Sequence, residues 1–322
     1  MATRRQKMQE LRRLTRVAMA AYVQEIKNKS FVIGDLEKII NDAEALHNEL
    51  ALHGGDLSDT TSAIRDAIAA GGLLEGKFNT SSEAATQFLL QLSSQLVTNI
   101  NEQQREAIQI ITAAGRTLGE NPRTIALDLV GRVSRSGVRE GGVIGLNAQQ
   151  AQASANAIYA LRSGDPTLMH EYLKYKRRDR RFDATVRRYA AMGKPVPSHM
   201  AHTISARYQA RLLQTRAETI ARTEVMEALE GGAHVSIREQ MERGLIEPMA
   251  KVWQSTHDGR ERDSHAEMDG VAVPFDEPFM LPDGSRVMHP CDSSLGAAAA
   301  EIINCRCTVR HVPLSEVQID NS

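Results

Sequence analysis

Cys305 and Cys307 stand one residue apart in the run Asn304-Cys305-Arg306-Cys307, and the third cysteine, Cys291, follows His289-Pro290. On an extended chain alternate residues share a face, so the two sulfurs of a Cys-x-Cys pair point the same way. A disulfide between positions this close would be strained, whereas two soft ligands on one face suit a metal. His265 with Cys291, or alternatively with His289, would complete a tetrahedral set of nitrogen and sulfur donors, the closed pattern of structural zinc. Only one of His289 and Cys291 is expected at the ion, because Pro290 separates them, and Cys291 is the softer ligand. The spacing is not that of a standard zinc finger. The other reading of the same residues is a set of buried thiols and hydrogen-bonded imidazoles in a module with little other core, where a staple of some kind is expected.

A second chemistry lies in the run His257, Asp258, Arg260, Glu261, Arg262, Asp263 and His265. Acid, base and cation occur together there, as a hydrolase or nuclease would require. The plainer reading is a salt-bridged loop in which Arg260 and Arg262 hold Asp258, Asp269 or Glu224, with Arg222-Thr223-Glu224 as the facing surface. The chain has no nucleophile elbow, phosphate-binding loop, dinucleotide glycine pattern or His-Glu-x-x-His helix. An enzyme is therefore not the expectation.

The third group is basic. Lys174, Lys176, Arg177, Arg178, Arg180, Arg181, Arg187 and Arg188 are interleaved with Tyr172, Tyr175, Phe182 and Tyr189, and only Asp179 and Asp183 oppose them. Clustered Lys and Arg neutralise phosphates whatever the base sequence, and aromatics between them can stack, so this segment is a candidate DNA contact. The alternative is a surface helix whose aromatics pack inward and whose cations pair with acidic neighbours.

Short elements must position the C-terminal groups. Residues 251–256 alternate around Trp253 and predict a strand, stopped by Asp258-Gly259. Ser264 with Glu267 predicts a capping box and one helical turn ended by Asp269-Gly270. Residues 271–273 and 285–288 predict short strands, with Pro282-Asp283-Gly284 as the turn between them. Residues 304–312 predict the clearest strand, Cys305, Cys307, Val309 and His311 on one face. Together these make a small α+β module.

Upstream the pattern is helical. Residues 4–29 are basic, with Leu11, Leu14, Ala18 and Ala21 on one face; the basic face is either solvated or meets an acidic partner. Residues 36–50 repeat at helical spacing, Gly54-Gly55 and Gly71-Gly72 read as breaks, and a stripe from Phe88 to Ile100 continues to about Ala114. Asn121-Pro122, Asn147 and Asp165-Pro166 are helix starts, the last for a helix reaching about Ala191. Ser198 opens a long helix to Leu229, and Gly231-Gly232 and Gly244 punctuate another. The expected fold is mainly α, with extended helical N-terminal and middle regions and a small C-terminal α+β module. Its expected segments are a helical assembly arm at 1–115, a helical middle domain at 116–250 and the module at 251–322.

Composition bounds the rest. The 39 Lys and Arg nearly balance the 40 Asp and Glu, so global charge selects no partner. No run approaches the roughly 18–20 apolar residues that span a bilayer, and no apolar segment follows the basic N-terminus as in a secretory signal. A soluble intracellular product is expected.

The ordered run Trp253…Asp258-x-Arg260-x-Arg262-x-x-His265…Asp269-Gly270, ending in Asn304-Cys305-Arg306-Cys307, resembles the phage head morphogenesis family typified by the F protein of phage Mu, the minor head proteins. The upstream Ala217-Glu218-Thr219-Ile220-Ala221-Arg222-Thr223-Glu224 helix also matches, and Gly145-Leu146-Asn147 with Gln149 and Gln150 matches more generically. One departure is an alanine-rich stretch at 296–300, where many relatives carry prolines before the Cys-x-Cys run. The resemblance implies a structural motif built on Trp253, Asp258, Arg260, Arg262, Arg222 and Glu224. It implies a minor structural protein inside the capsid near the portal, made in the host cytoplasm, with the portal, other head proteins and packaged DNA as partners. Head assembly and DNA packaging or delivery are the implied roles.

Overall fold

The computed structural model describes residues 3–29, 31–52, 57–76, 78–133 and 139–319; the break expected at Gly54-Gly55 lies outside them. The fold is mainly α with small antiparallel sheets, most of them C-terminal. In chain order the helices are α1 (Arg4–Asn28), α2 (Ile33–Ile39), α3 (Ala43–Leu52), α4 (Ser58–Leu74), α5 (Glu83–Thr117), α6 (Pro122–Val130), α7 (Ala148–Ser163), α8 (Pro166–Tyr172), α9 (Asp183–Ala191), α10 (Ser198–Glu242), α11 (Asp263–Glu267) and α12 (Ala299–Ile302). The strands are β1 (Arg132–Val133), β2 (Arg139–Glu140), β3 (Met249–Gln254), β4 (Ala272–Pro274), β5 (Phe279–Met280), β6 (Arg286–Val287) and β7 (Thr308–Pro313). No described helix is long and apolar enough to cross a membrane.

Contacts group the chain into two compact units, one of residues 1–21, 58–96 and 218–322, the other of residues 22–57 and 97–217. This grouping differs from the consecutive segments 1–115, 116–250 and 251–322. Residues 1–21 and 58–96 share a unit with the C-terminal module.

In the first unit the two Gly-Gly pairs are contacts and not breaks. A Cβ added to Gly71 would lie 1.9 Å from the Leu229 carbonyl oxygen, and one added to Gly232 would lie 2.1 Å from that of Ile68. The helices α4 and α10 thus cross backbone against backbone, which only residues without Cβ permit. Helix α10 accordingly continues through Gly231-Gly232 to Glu242, and Gly244 with φ of 65° follows its end.

The module's main sheet has the order β4-β3-β7, all antiparallel, with Trp253 opposite Val309 and Lys251 opposite His311. As the central strand, β3 is buried from Met249 to Trp253, which explains its apolar composition. Pro282-Asp283-Gly284 does turn the chain, but between β5 and β6; β5 was not anticipated. The Asp283 carboxylate accepts from the Ser285 N–H and hydroxyl, both at 2.9 Å. The capping box expected at Ser264 does not form: α11 has Arg262 at its N-cap, and the Ser264 hydroxyl donates to Glu301 at 2.9 Å.

One residue of the basic N-terminal helix is neither solvated nor waiting for another chain. Lys7 is buried, with its Nζ 3.0 Å from Glu75 and 3.3 Å from Glu230, and it donates to the Val309 carbonyl at 2.8 Å. Glu230 also accepts from the Val309 N–H at 3.2 Å, and His311 Nδ1 lies 3.8 Å from Glu75. Burial opposes charge on Glu75, but His311 and Lys7 outweigh it and hold its carboxyl down at about 2.

The second unit follows its cap signals. Asn121 accepts from Thr124 at 2.9 Å ahead of α6, Asn147 and Gln150 form a reciprocal capping box ahead of α7, and Asp165 accepts from Thr167 at 2.7 Å ahead of α8. Two long helices expected from periodicity are divided. Residues 36–50 split into α2 and α3, where Asp42 accepts from the N–H groups of Glu44 and Ala45 at 3.1 and 2.9 Å. The helix expected from 165 to 191 stops at Tyr172 and restarts at Arg180, because Asp179 accepts from the Arg181 N–H at 3.2 Å. In both places a short acidic side chain competes locally for backbone donors and opens a new helix.

Candidate metal centre

Four segments of the first unit meet around one buried point. Helix α11 supplies His265, the approach to β7 supplies Cys305 and Cys307, the turn after β6 supplies Cys291, and β3 supplies Trp253. Cys291 and Asn304 have left-handed backbone, with φ of 66° and 60°, a conformation Asn tolerates better than most side chains. The Asn304 turn is pinned to α10: its N–H donates to the Thr223 hydroxyl at 3.0 Å, and Arg222 Nη1 donates to its side-chain oxygen at 3.4 Å. This is the work done by the Arg222-Thr223 pair, and it aims the two following cysteines inward.

His265 Nδ1 lies 3.4 Å from Cys305 Sγ and 3.5 Å from Cys307 Sγ. One donor atom from each of these three residues lies within 4.8 Å of the others. All three side chains are buried, as is Cys291. The Cys291 thiol is 3.4 Å from the Ile302 carbonyl and 3.8 Å from that of Cys305. On the opposite edge of the imidazole, His265 Nε2 stands 2.9 Å from Glu301. The Trp253 and His265 rings meet edge to face at 5.5 Å.

The electrostatics favour one thiolate. Hydrogen bonds from Cys291, Cys307 and His265 push Cys305 well below the usual thiol range, against its burial. Burial and the Cys305 neighbour push Cys291 up, and the Cys305 hydrogen bond and burial push Cys307 up. Burial would lower His265, but its bond to Cys305 raises it. Three thiols and an imidazole converging in a buried site are a soft donor set for a thiophilic metal.

Of the expected ligands, His265, Cys305 and Cys307 are brought together, with Cys291 against Cys305. His289 is not among them; its Nδ1 lies 3.1 Å from the Pro290 carbonyl and its ring faces His234 at 6.2 Å. Sequence reasoning missed Glu301, which no motif marks. His311 shares the cysteines' strand face in sequence but pairs with Glu75 instead.

The acid–base run is a scaffolded loop. Glu261 accepts from the N–H groups of Thr256 and His257, the latter at 3.0 Å, and Asp269 accepts from Ser255 at 2.8 Å. Arg306, and not Arg260 or Arg262, clamps Asp258 through both guanidinium nitrogens and holds its carboxyl far below the usual range. Arg262 donates to the Ile303 carbonyl, and the Arg260 N–H to Asp258 at 2.9 Å. Arg306, the residue between the two cysteines, was the available clue. Glu224 pairs with none of these cations: burial and the charge of Glu227 push its carboxyl up to about 8.

In the second unit, the basic segment is largely internally neutralised. Arg178 forks onto Asp183 at 2.9 and 2.8 Å, Arg181 pairs with Asp179 at 2.6 Å, Arg187 with Asp183 at 3.7 Å and Lys174 with Glu171. Arg177 donates to the Thr215 hydroxyl and Arg188 lies over Tyr189. Tyr172 and Tyr175 turn inward onto Tyr208, with centroids 5.6–6.5 Å apart. Lys176 and Arg180 are exposed and make no ion pair among the described residues.

Residues 196–310 match the profile of the family described as Phage Mu protein F like protein. No curated protein and no solved structure matches the chain.

Proposed function

From a chain whose residues 196–310 are Phage Mu F-like, we propose a minor structural protein of a phage or prophage head. We infer a place inside the capsid near the portal, with the portal protein and other head proteins as partners and a role in head assembly. The observation that carries the reading is the matched stretch itself, whose residues 218–310 belong to one compact unit. It spans α10 and the module as far as Arg310, tied by the Thr223–Asn304 and Arg222–Asn304 bonds. A non-enzymatic role accords with the loop chemistry, where Asp258, Glu261 and Asp269 serve the backbone and His265 is 2 % exposed. The test is fractionation of phage heads. The protein is expected in purified heads, and co-purifying with the ring-shaped portal oligomer; its absence from both overturns the reading.

Contact with packaged DNA belongs to the same proposal and rests on the cations left outside the ion pairs, Lys176 and Arg180, with Arg177 and Arg188 nearby. Charge reversal at Lys176, Arg177, Arg180 and Arg188 should weaken DNA binding for every sequence alike and flatten its salt dependence. An unchanged salt slope would make the segment a solvated face.

A further inference from the structure

We propose that His265 Nδ1, Cys305, Cys307 and Cys291 hold one zinc-class divalent ion, with Glu301 as the positioning residue behind the imidazole. The geometry carries this. For a tetrahedral ion with Zn–S near 2.3 Å and Zn–N near 2.0 Å, the nitrogen-to-sulfur edge is about 3.5 Å. The two edges present are 3.4 and 3.5 Å, measured from the same ring nitrogen. Two sulfurs converging on Nδ1 at that spacing make neither a disulfide nor a strong hydrogen-bond network, since a thiol is a weak donor. The other ring nitrogen is already placed as a metal-bound imidazole requires: Nε2 faces a carboxylate, which holds the N–H there and leaves Nδ1 free to ligate. The Ser264 hydroxyl fixes that carboxylate in turn.

Cys291 takes the fourth position because it is the remaining buried thiol beside Cys305, its Sγ 3.8 Å from the Cys305 carbonyl; it stands outside the 4.8 Å set of the other three donors, so a rotation of its side chain completes the tetrahedron. Binding releases to solvent the protons still on the three thiols and any proton on His265 Nδ1, leaving the imidazole neutral with its N–H on Nε2. Three thiolates and a divalent cation leave one net negative charge, opposite in sign to the neighbouring Arg306 guanidinium, which feels both Cys305 and Cys307. The site is closed, with ligands from three separate segments, so the ion's place is structural: it ties α11, the β6 turn and the start of β7 together.

The experiment is metal analysis of the full chain, prepared without a polyhistidine tag or chelator, followed by cobalt(II) replacement. About one zinc per chain is expected, and cobalt should give a thiolate-to-metal charge-transfer band with the intense visible absorption of tetrahedral coordination. Cys291→Ser should lower that charge-transfer intensity by about a third. Glu301→Gln, which removes no ligand, should weaken affinity about 10–100-fold while leaving the band's shape unchanged. An absence of zinc together with no cobalt charge-transfer band in the parent chain overturns the site. An unchanged intensity in Cys291→Ser overturns the fourth ligand, and unchanged affinity in Glu301→Gln overturns the role of Glu301. A chain that binds neither zinc nor cobalt and is still found in heads would sink the site and leave the head assignment standing.

Discussion

Lys7 in the first unit and Arg181 in the second each lie against a carboxylate, yet the Lys7 side chain is 2 % exposed and that of Arg181 is 72 % exposed. Lys7 faces two buried acids, a backbone carbonyl and, beyond Glu75, a buried imidazole. Arg181 faces one acid that also pairs with Arg211 at 3.4 Å. The two pairs therefore do different work. For Lys7 both partners are buried and each keeps the other from being an isolated charge, whereas for Arg181 only the acid is buried and the guanidinium keeps its water, which weakens the pair. The first unit is specified by buried polar groups, and the basic segment of the second by caps and a tyrosine cluster, with its ion pairs as trimming.

The strongest way to break this comparison is Lys7→Met. Leaving Glu75 and Glu230 without their cation should cost roughly 3–5 kcal/mol, read as a lower denaturant midpoint. A midpoint equal to the parent's would mean that the buried network is not what joins residues 1–21 to the module.

Gly232→Ala comes next. The new Cβ would meet the Ile68 carbonyl at 2.1 Å, and forcing α4 and α10 apart should cost about 1–3 kcal/mol. Gly34→Ala in α2 is the control for space alone, since nothing lies within 4 Å of its added Cβ and its backbone is not left-handed.

Glu224 sharpens the contrast through pH. Its ordinary value of 4.5 is raised to about 8 by burial and by Glu227. Because the folded state holds the proton more tightly, the contribution is full below pH 4.5 and is lost as pH rises toward and through 8. Glu224→Gln should therefore flatten the decline in stability across that window and stabilise the protein at its alkaline end. Parallel stability curves for the two proteins would refute the assignment.

The smallest effect is expected at Arg187→Ala, whose ion pair with Asp183 spans 3.7 Å and whose side chain is 61 % exposed. The change should fall within about 1 kcal/mol and shrink further in salt. A loss as large as that of Lys7→Met would erase the distinction between the two regions.

Much of this was legible in the chain itself. The caps at Asn121, Asn147 and Asp165 and the strand around Trp253 followed from local chemistry that needs no distant partner. So did the fold class, because helical spacing and turn residues act within a few positions. The sequence alone also marked His265, Cys305 and Cys307 by type. Tertiary structure decided the rest. The strand expected from 304 begins only at Thr308, and bonds between α10 and Asn304 aim the cysteines that precede it. Gly71-Gly72 and Gly231-Gly232 read as helix breaks by propensity, but each is a place where another backbone comes close, and propensity carries no information about what approaches. Periodicity could not tell that Asp42 and Asp179 would open new helices, since apolar spacing continues across both. Only the fold could bring Glu301 to the far side of His265, send His289 elsewhere, set Arg306 on Asp258 and bury Lys7 between Glu75, just past α4, and Glu230 of α10. Those choices depend on long-range contacts whose sequence separations leave no local trace.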